Sequence, residues 1–409
     1  MSNTLLDISK ITNEALMVLE NELTFTSQVD RTYDDQFAVV GAKIGATVNV
    51  RRPGRFIGAA GPALSIEDLN ETSIPVTLTT QWQVATQFTT QDLALALDMF
   101  SDRVLKPQVA AIANKIDRDG LVMAKNNTAN IVGTVGTIPS SLLTYLNAGA
   151  LLDAEGTPRD GRRAVVIEPF TAATIVDSLK GLFVPEGAIG DQYRKGLMGR
   201  DTAGVNWKMD QNIVSQTFGN WTTTAGAVTV TSSSQGLSTG WASTSTLSLT
   251  TTQGLTLQQG DVIQFTGING VNPQNRQSYG RLRNFVVTAA VTQVGAGAFS
   301  VVVSPALISA GQFQNVTASP AAGTVVQFSS LATGAANALT APQNIFFHKN
   351  AYTLAMADLE LPEGVHFAGR ASDKEIGLSI RVVRQYTINN DAIPCRLDVL
   401  YGWAPLYTD

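Results

Sequence analysis

Apolar residues recur every three or four positions at the start of the chain, at Leu5, Ile8, Ile11, Ala15, Leu19 and Leu23. That spacing puts them on one face of a helix over residues 5–25. A terminal amphipathic helix needs a surface to lie against, and its own domain or a neighbouring copy would serve equally. A rough period of two then takes over. Residues 38–57 and 74–90, through Val48, Val50, Val76, Leu78, Trp82, Val84 and Phe88, predict two long strands. Gly, Ala and Pro accumulate between Gly54 and Ser73, with a helical turn expected near Ile66–Leu69. The pair therefore reads as a long β-hairpin with an irregular tip. A two-stranded ribbon is marginal alone in water, so it is expected to rest on another surface.

Leu105, Val109, Ile112, Ile116 and Met123 predict a helix from about Ser101 to Lys125. Pro107 suits its first turn, where a missing N–H costs nothing. Asp117 and Asp119 are two apart and so face different sides of that helix. A short strand at Arg163–Ile167 and a helix at Thr171–Leu182 follow. Near the end, Asn344–Phe347, Ala351–Ala357, Ile376–Tyr386 and Cys395–Trp403 read as strands.

Charge separates one stretch from the rest. The chain has 28 basic and 33 acidic residues in 409, yet between 218 and 344 only Asp261, Arg276, Arg281 and Arg283 are charged. A loop of that length without structure of its own would be unusual. Strand candidates lie within it at Leu247–Thr250, Asp261–Thr266, Phe285–Val291, Phe299–Val303 and Val325–Phe328, mostly separated by Gly or Pro. They point to a small antiparallel barrel or sandwich. Val, Leu, Ile and Phe at strand spacing exclude a disordered linker. The fold class is α+β, with one body interrupted by an inserted β domain.

Composition narrows the function. A net charge of −5 argues against a protein built to grip nucleic acid. A lone cysteine, Cys395, makes no internal disulfide. No run of eighteen apolar residues predicts a membrane span, and Asp7, Glu14, Glu20 and Glu22 interrupt any signal-peptide core. His348 and His366 are the only histidines, so neither a catalytic constellation nor a metal site is expected, and no cofactor motif occurs. Gly267–Gly270 reads as a turn between strands. Two basic clusters remain. Arg51, Arg52 and Arg55 surround Pro53-Gly54, and are either a solvated loop or a contact with acidic groups or nucleic acid. Arg276, Arg281 and Arg283 fall in Val271–Asn284, a predicted loop, and are either there for solubility or a contact surface.

The order of these elements resembles that of the major capsid proteins of tailed bacteriophages, which share the Hong Kong 97-type fold. The closer resemblance is to the coat proteins of short-tailed Salmonella phages of the P-twenty-two type, which carry an inserted domain. It rests on the helix segment Gln108–Met123, on Leu255–Gly267 continuing through Val271–Thr288, and on Asn344–Phe347 with Cys395–Trp403. The resemblance implies an N-terminal arm at 1–36, an extended hairpin or E-loop at 37–90, and a spine helix with peripheral domain at 91–130. Peripheral and axial parts would follow at 131–217, an inserted β-barrel at 218–344, and a return to the axial and peripheral domains with terminal strands at 345–409.

The function so implied is non-enzymatic. Copies would assemble as hexamers and pentamers of an icosahedral shell in the virion, around double-stranded DNA held without sequence preference. A scaffolding protein and a portal would act as partners during assembly in the bacterial cytoplasm. Leu5, Ile8, Ile11, Leu19, Leu23 and the six arginines are the candidate inter-subunit contacts. In the best-known member of that family a charged loop of the insert bridges capsomers. The corresponding stretch here, about Ser232–Ser245, holds no charge, which leaves the insert's arginines or uncharged contacts for that task. Two rivals stand beside this reading: another virion component such as a tail or decoration protein, and a hydrolase with a β accessory domain.

Overall fold

The computed structural model describes residues 15–17, 19, 23–31, 47–58, 60–62, 64, 66–89, 104–178, 203–220, 228–233, 235, 240–328, 339–373 and 378–408. Strands β1 (Thr47–Arg52), β2 (Thr72–Thr77) and β3 (Thr80–Thr89) precede helix α1 (Lys106–Asn127) and helix α2 (Leu142–Ala154). Strand β4 (Arg163–Ile167) leads to helix α3 (Pro169–Ser178), then β5 (Asn206–Met209) and β6 (Ser215–Thr217). Next come β7 (Val228–Val230), β8 (Ser245–Thr251), β9 (Leu255–Leu257), β10 (Val262–Val271) and β11 (Ser278–Val287). After them lie β12 (Val291–Gln293), β13 (Gly297–Ser304), β14 (Val326–Phe328) and β15 (Thr340–Pro342). The chain ends with β16 (Ile345–His348), β17 (Tyr352–Met356), β18 (Phe367–Asp373), β19 (Leu378–Arg384) and β20 (Ala392–Pro405).

The chain forms two compact units. The first comprises Met1–Val50, Ser73–Leu121 and Asn350–Leu406. Its sheet is organised by β20, which pairs with β17, β19 and β3, while β18 lies outside β19. The expected second arm of the hairpin is thus two strands. Thr72–Thr77 stays in the ribbon with β1, whereas Thr80–Thr89 pairs along β20 from Ala392 to Tyr401. Pairing with the last strand sets Val84 opposite buried Leu397 and gives the strand the backbone partners that a marginal two-stranded ribbon would lack. Helix α1 buries Val109, Ile112, Ile116 and Leu121. The indole of Trp403 on β20 donates to the Ile116 carbonyl at 3.2 Å, and Gln108 donates to Thr86 of β3 at 2.9 Å.

The second unit comprises Arg51–Thr72, Val122–Lys349 and Tyr407–Asp409. Its sheet has the order β16-β4-β5, and every residue of β4 is buried, as expected of a strand covered on both faces. Val165, Ile167, Ile175, Trp207 and Tyr145 form its core with α2 and α3. Helix α2 escaped the sequence reading because LLTYLNAGALLDA is apolar almost all round and has no helical period.

The nearly uncharged stretch starts from a narrow stem, where β6 pairs with β15 through Thr217 and Thr340. Beyond it, six strands run in the order β14-β10-β11-β13-β8-β7. The two edge strands meet at a bridge between Thr229 and Val325, so the sheet is nearly closed into a barrel. Closure gives alternating residues one interior. Leu247 and Leu249, Val301 and Val303, and Phe265 beside Phe285 (ring centroids 5.5 Å) all point into it. Gly267–Gly270 is not a turn. It lies inside β10 at a bulge, with Gly267 at φ +79°, which explains glycine there without ending the strand. The helical turn expected near Ile66–Leu69 is irregular chain instead, and the Glu67 carboxylate reaches across the tip, accepting the amides of Ile57 and Gly58 at 2.8 and 2.6 Å.

Candidate assembly surfaces

Among the described residues no group of three or more His, Cys, Asp or Glu side chains could hold a metal, and no helix is long and apolar enough to cross a membrane. His348 is buried with its Nε2 3.0 Å from Asp160 Oδ1, a structural contact. His366 lies on the loop before β18.

The N-terminal candidates divide. Leu5, Ile8 and Ile11 lie outside the described residues. Leu19 and Leu23 are buried within their own chain, beside Ala15 and Phe25. The arm is anchored by Asp117, which is 1% exposed in the middle of α1. Its carboxylate accepts the backbone amides of Thr24 (2.7 Å), Phe25 (3.3 Å) and Thr26 (3.0 Å) and the Thr26 hydroxyl (2.5 Å). Three consecutive amides turned to one carboxylate suit the start of the short 3-10 turn Thr26–Gln28. Asp119 turns the other way. It takes the Tyr401 hydroxyl at 2.6 Å and pairs with Lys115 at 2.6 Å. Burial, then the neighbouring Asp119, pushes the Tyr401 phenol well above its ordinary value.

At the hairpin, Arg51 is exposed and 3.6 Å from Glu71. Arg52 lies over the rings of Tyr407 (4.5 Å) and Trp241 (5.8 Å), a stacking geometry rather than a solvated loop. Arg55 is half-buried. The tip itself carries the apolar residues Phe56, Ile57, Leu64, Ile66 and Leu69, between 55% and 87% exposed. A signal for them was present in the sequence as an apolar run without a period.

The arginines of the insert are not one surface. Val271–Asn284 is no loop, because its second half belongs to β11. Arg281 is exposed there. Arg276 sits in the turn at φ +58° and donates to the Gly311 carbonyl. Arg283 is buried, at 1% exposure, and pairs with Glu155 just after α2. The Tyr279 hydroxyl donates to the same carboxylate at 2.9 Å, and the Asn272 amide donates to the Ala154 carbonyl at 2.7 Å. Arg283 is therefore corrected from a candidate contact to an internal ion pair. Two residues identical in type and two apart along a strand differ because only one meets a buried carboxylate.

A second buried joint lies at the barrel's base. Lys125 at the end of α1 donates to Gln216, whose amide donates in turn to Asp261 at 3.1 Å. Asp261 is fully buried and also accepts the amides of Gly219 (3.0 Å) and Gln258 (2.8 Å). Burial raises the Asp261 carboxyl, and burial lowers the Lys125 ammonium.

The described residues present exposed apolar side chains at the hairpin tip and a buried ion pair within the second unit, and no group of three or more potential metal ligands. A family model described as "P22 coat protein - gene protein 5" matches residues 1–407, and the chain belongs to that family. It is the major capsid protein of a tailed phage, the subunit of the shell. A search of curated proteins found no match. Among solved structures, Mycobacterium phage Che8 is similar over 94% of this chain and 88% of its own, at 11% identity and TM-score 0.46. The capsid of Ralstonia phage GP4 is similar over 94% and 84%, at 7% identity and TM-score 0.45. The CUS-3 coat protein I-domain matches 26% of this chain and 98% of its own length, at 18% identity and TM-score 0.20.

Proposed function

We propose that this coat protein assembles as hexamers and pentamers of an icosahedral shell in the virion, enclosing double-stranded DNA without sequence-specific contacts. Its role is structural, not catalytic. A scaffolding protein and a portal take part in assembly, which occurs in the host cytoplasm, and residues 218–344 act as one inserted module on each copy. The observation that carries this reading is the hairpin tip. Its large apolar side chains stand in water on a single copy, although its backbone is held in place by Glu67. Exposed apolar surface of that kind marks a protein contact, and closed assemblies of identical copies supply one at every position.

The test is electron microscopy of the purified chain, alone and with the phage's scaffolding protein. Closed particles with hexameric and pentameric capsomers are the expected result. Rings, trimers or tubes under every condition would favour a tail or decoration component. A second arm uses a chain lacking residues 2–14, a cut that spares the buried Ala15, Leu19, Leu23 and Phe25. It should remain folded and fail to close shells.

A further inference from the structure

We propose that the outer face of α2, extended by Ile138 and Phe170, is a subunit contact of the shell, and that its occupant is a second copy of this chain. The proposal rests on the shell reading above. Helix α2 is apolar almost all round, with Asp153 its only charge, and a helix of that kind is normally buried against neighbours on most of its surface. Its inner side is covered: Tyr145 is 7% exposed and packs on Trp207 with ring centroids 5.0 Å apart. The outer side is not. Leu143 is 61% exposed and Leu146 48%, one turn apart on the same face.

Two neighbours continue the patch. Ile138 is 46% exposed and Phe170 73%. Phe170 stands one turn before Thr174 on α3, and the Thr174 hydroxyl reaches the carbonyl of Pro139, next to Ile138, at 3.4 Å. Four large apolar side chains left this exposed on neighbouring elements are more than the single scattered ones of an ordinary surface. Four side chains fall well short of the roughly 20–30 residues a side, ~800 Å² per partner, of a stable pairwise interface. Such a patch is too small to hold a dimer in dilute solution. It suits one of several modest contacts that a lattice adds together.

Charge selects the kind of occupant. From Asn126 to Leu152 the chain has no Lys, Arg, Asp or Glu. A charged segment or a nucleic acid would find nothing there to pair with, whereas an apolar face of a preformed fold loses no charge solvation on docking. In a coat built from one chain, the neighbour present at every position is another copy.

The test uses a Cys395→Ser chain carrying Leu146→Cys, labelled with maleimide–polyethylene glycol as subunit and as purified shell. Labelling should slow by about tenfold or more in the shell, as for a thiol taken out of reach. In parallel, Leu143→Asp with Leu146→Asp should keep the wild-type circular dichroism and nearly its Tm while forming no shells. Equal labelling in both states overturns the contact, and so do normal shells from the double variant. Protection found only while another protein is bound to the shell overturns the second copy as occupant. If the wild-type chain forms no shells under any condition, the shell reading itself fails and this proposal falls with it.

Discussion

The carboxylate of Asp117 accepts the backbone amide of Thr26 at 3.0 Å across 91 residues of sequence. It thereby fixes where the N-terminal segment meets the long helix, at a carboxylate only 1% exposed. Asp117→Asn replaces one acceptor oxygen by a donor that faces backbone donors. A buried donor left unpaired costs about 1–3 kcal/mol, more when a charge had been bonded to it. The expected loss is about 3 kcal/mol in urea unfolding, with faster hydrogen exchange at Thr24–Thr26. An unchanged midpoint would show that the arm docks without this anchor.

Gly120 is a glycine in the interior of a helix, where it normally weakens the helix by about 1 kcal/mol relative to alanine. Here the rings of Trp403 and Phe25 occupy its side: an added Cβ would lie 2.6 Å from Trp403 Cζ2 and 2.8 Å from Phe25 Cε1. Those two rings also pack on each other, with centroids 5.5 Å apart. Overpacking of about 1–3 kcal/mol therefore outweighs the gain in helix propensity. Gly120→Ala should lower Tm, and Gly120→Ala combined with Trp403→Phe should lose less than the two single losses added together. Additive losses would mean the indole does not set the limit.

Periodicity made the long helix legible, since Val109, Ile112 and Ile116 state its buried face directly. It made the barrel legible through pairs such as Leu247 and Leu249. What it left out is partnership over distance. The alternation around Val84 announces a strand but not that its partner is Leu397 in the last strand. The spacing of Asp117 and Asp119 says that they diverge, but not that one meets three amides and the other a tyrosine. Helix α2 was invisible because periodicity needs a polar side, which LLTYLNAGALLDA lacks. Among the candidate contacts, the burial of Arg283 was not legible, because it depends on Glu155, 128 residues earlier.

That contrast gives a clean pair of substitutions. Arg283→Ala leaves the Glu155 carboxylate, 7% exposed, without its guanidinium partner, and breaking one side of a buried ion pair costs about 3–5 kcal/mol. Arg281→Ala removes an exposed side chain, and surface changes of that kind stay within about 0.5 kcal/mol. Chemical unfolding should separate the two variants by several kcal/mol, while shells assembled from Arg281→Ala test whether the exposed arginine serves a contact. Equal stabilities would return Arg283 to the surface.

Acid stability offers a last check on the elements around α2. Asp153 receives Arg159 and Arg163, the latter at 2.8 Å. The bond from Arg159 does most, and with Arg163 it overcomes the opposing effect of partial burial and holds the carboxyl at about 2, against an ordinary 3.8. A carboxyl depressed in the folded state contributes stability that is complete above its unfolded pKa and is lost as pH falls through its folded pKa. The urea midpoint of Asp153→Asn should therefore lie below wild type by a constant margin from neutral pH down to about 4. Below that the margin should narrow, and it should vanish near pH 2. A margin that widened on acidification would mean that the carboxyl is raised by burial, not held down by its two arginines.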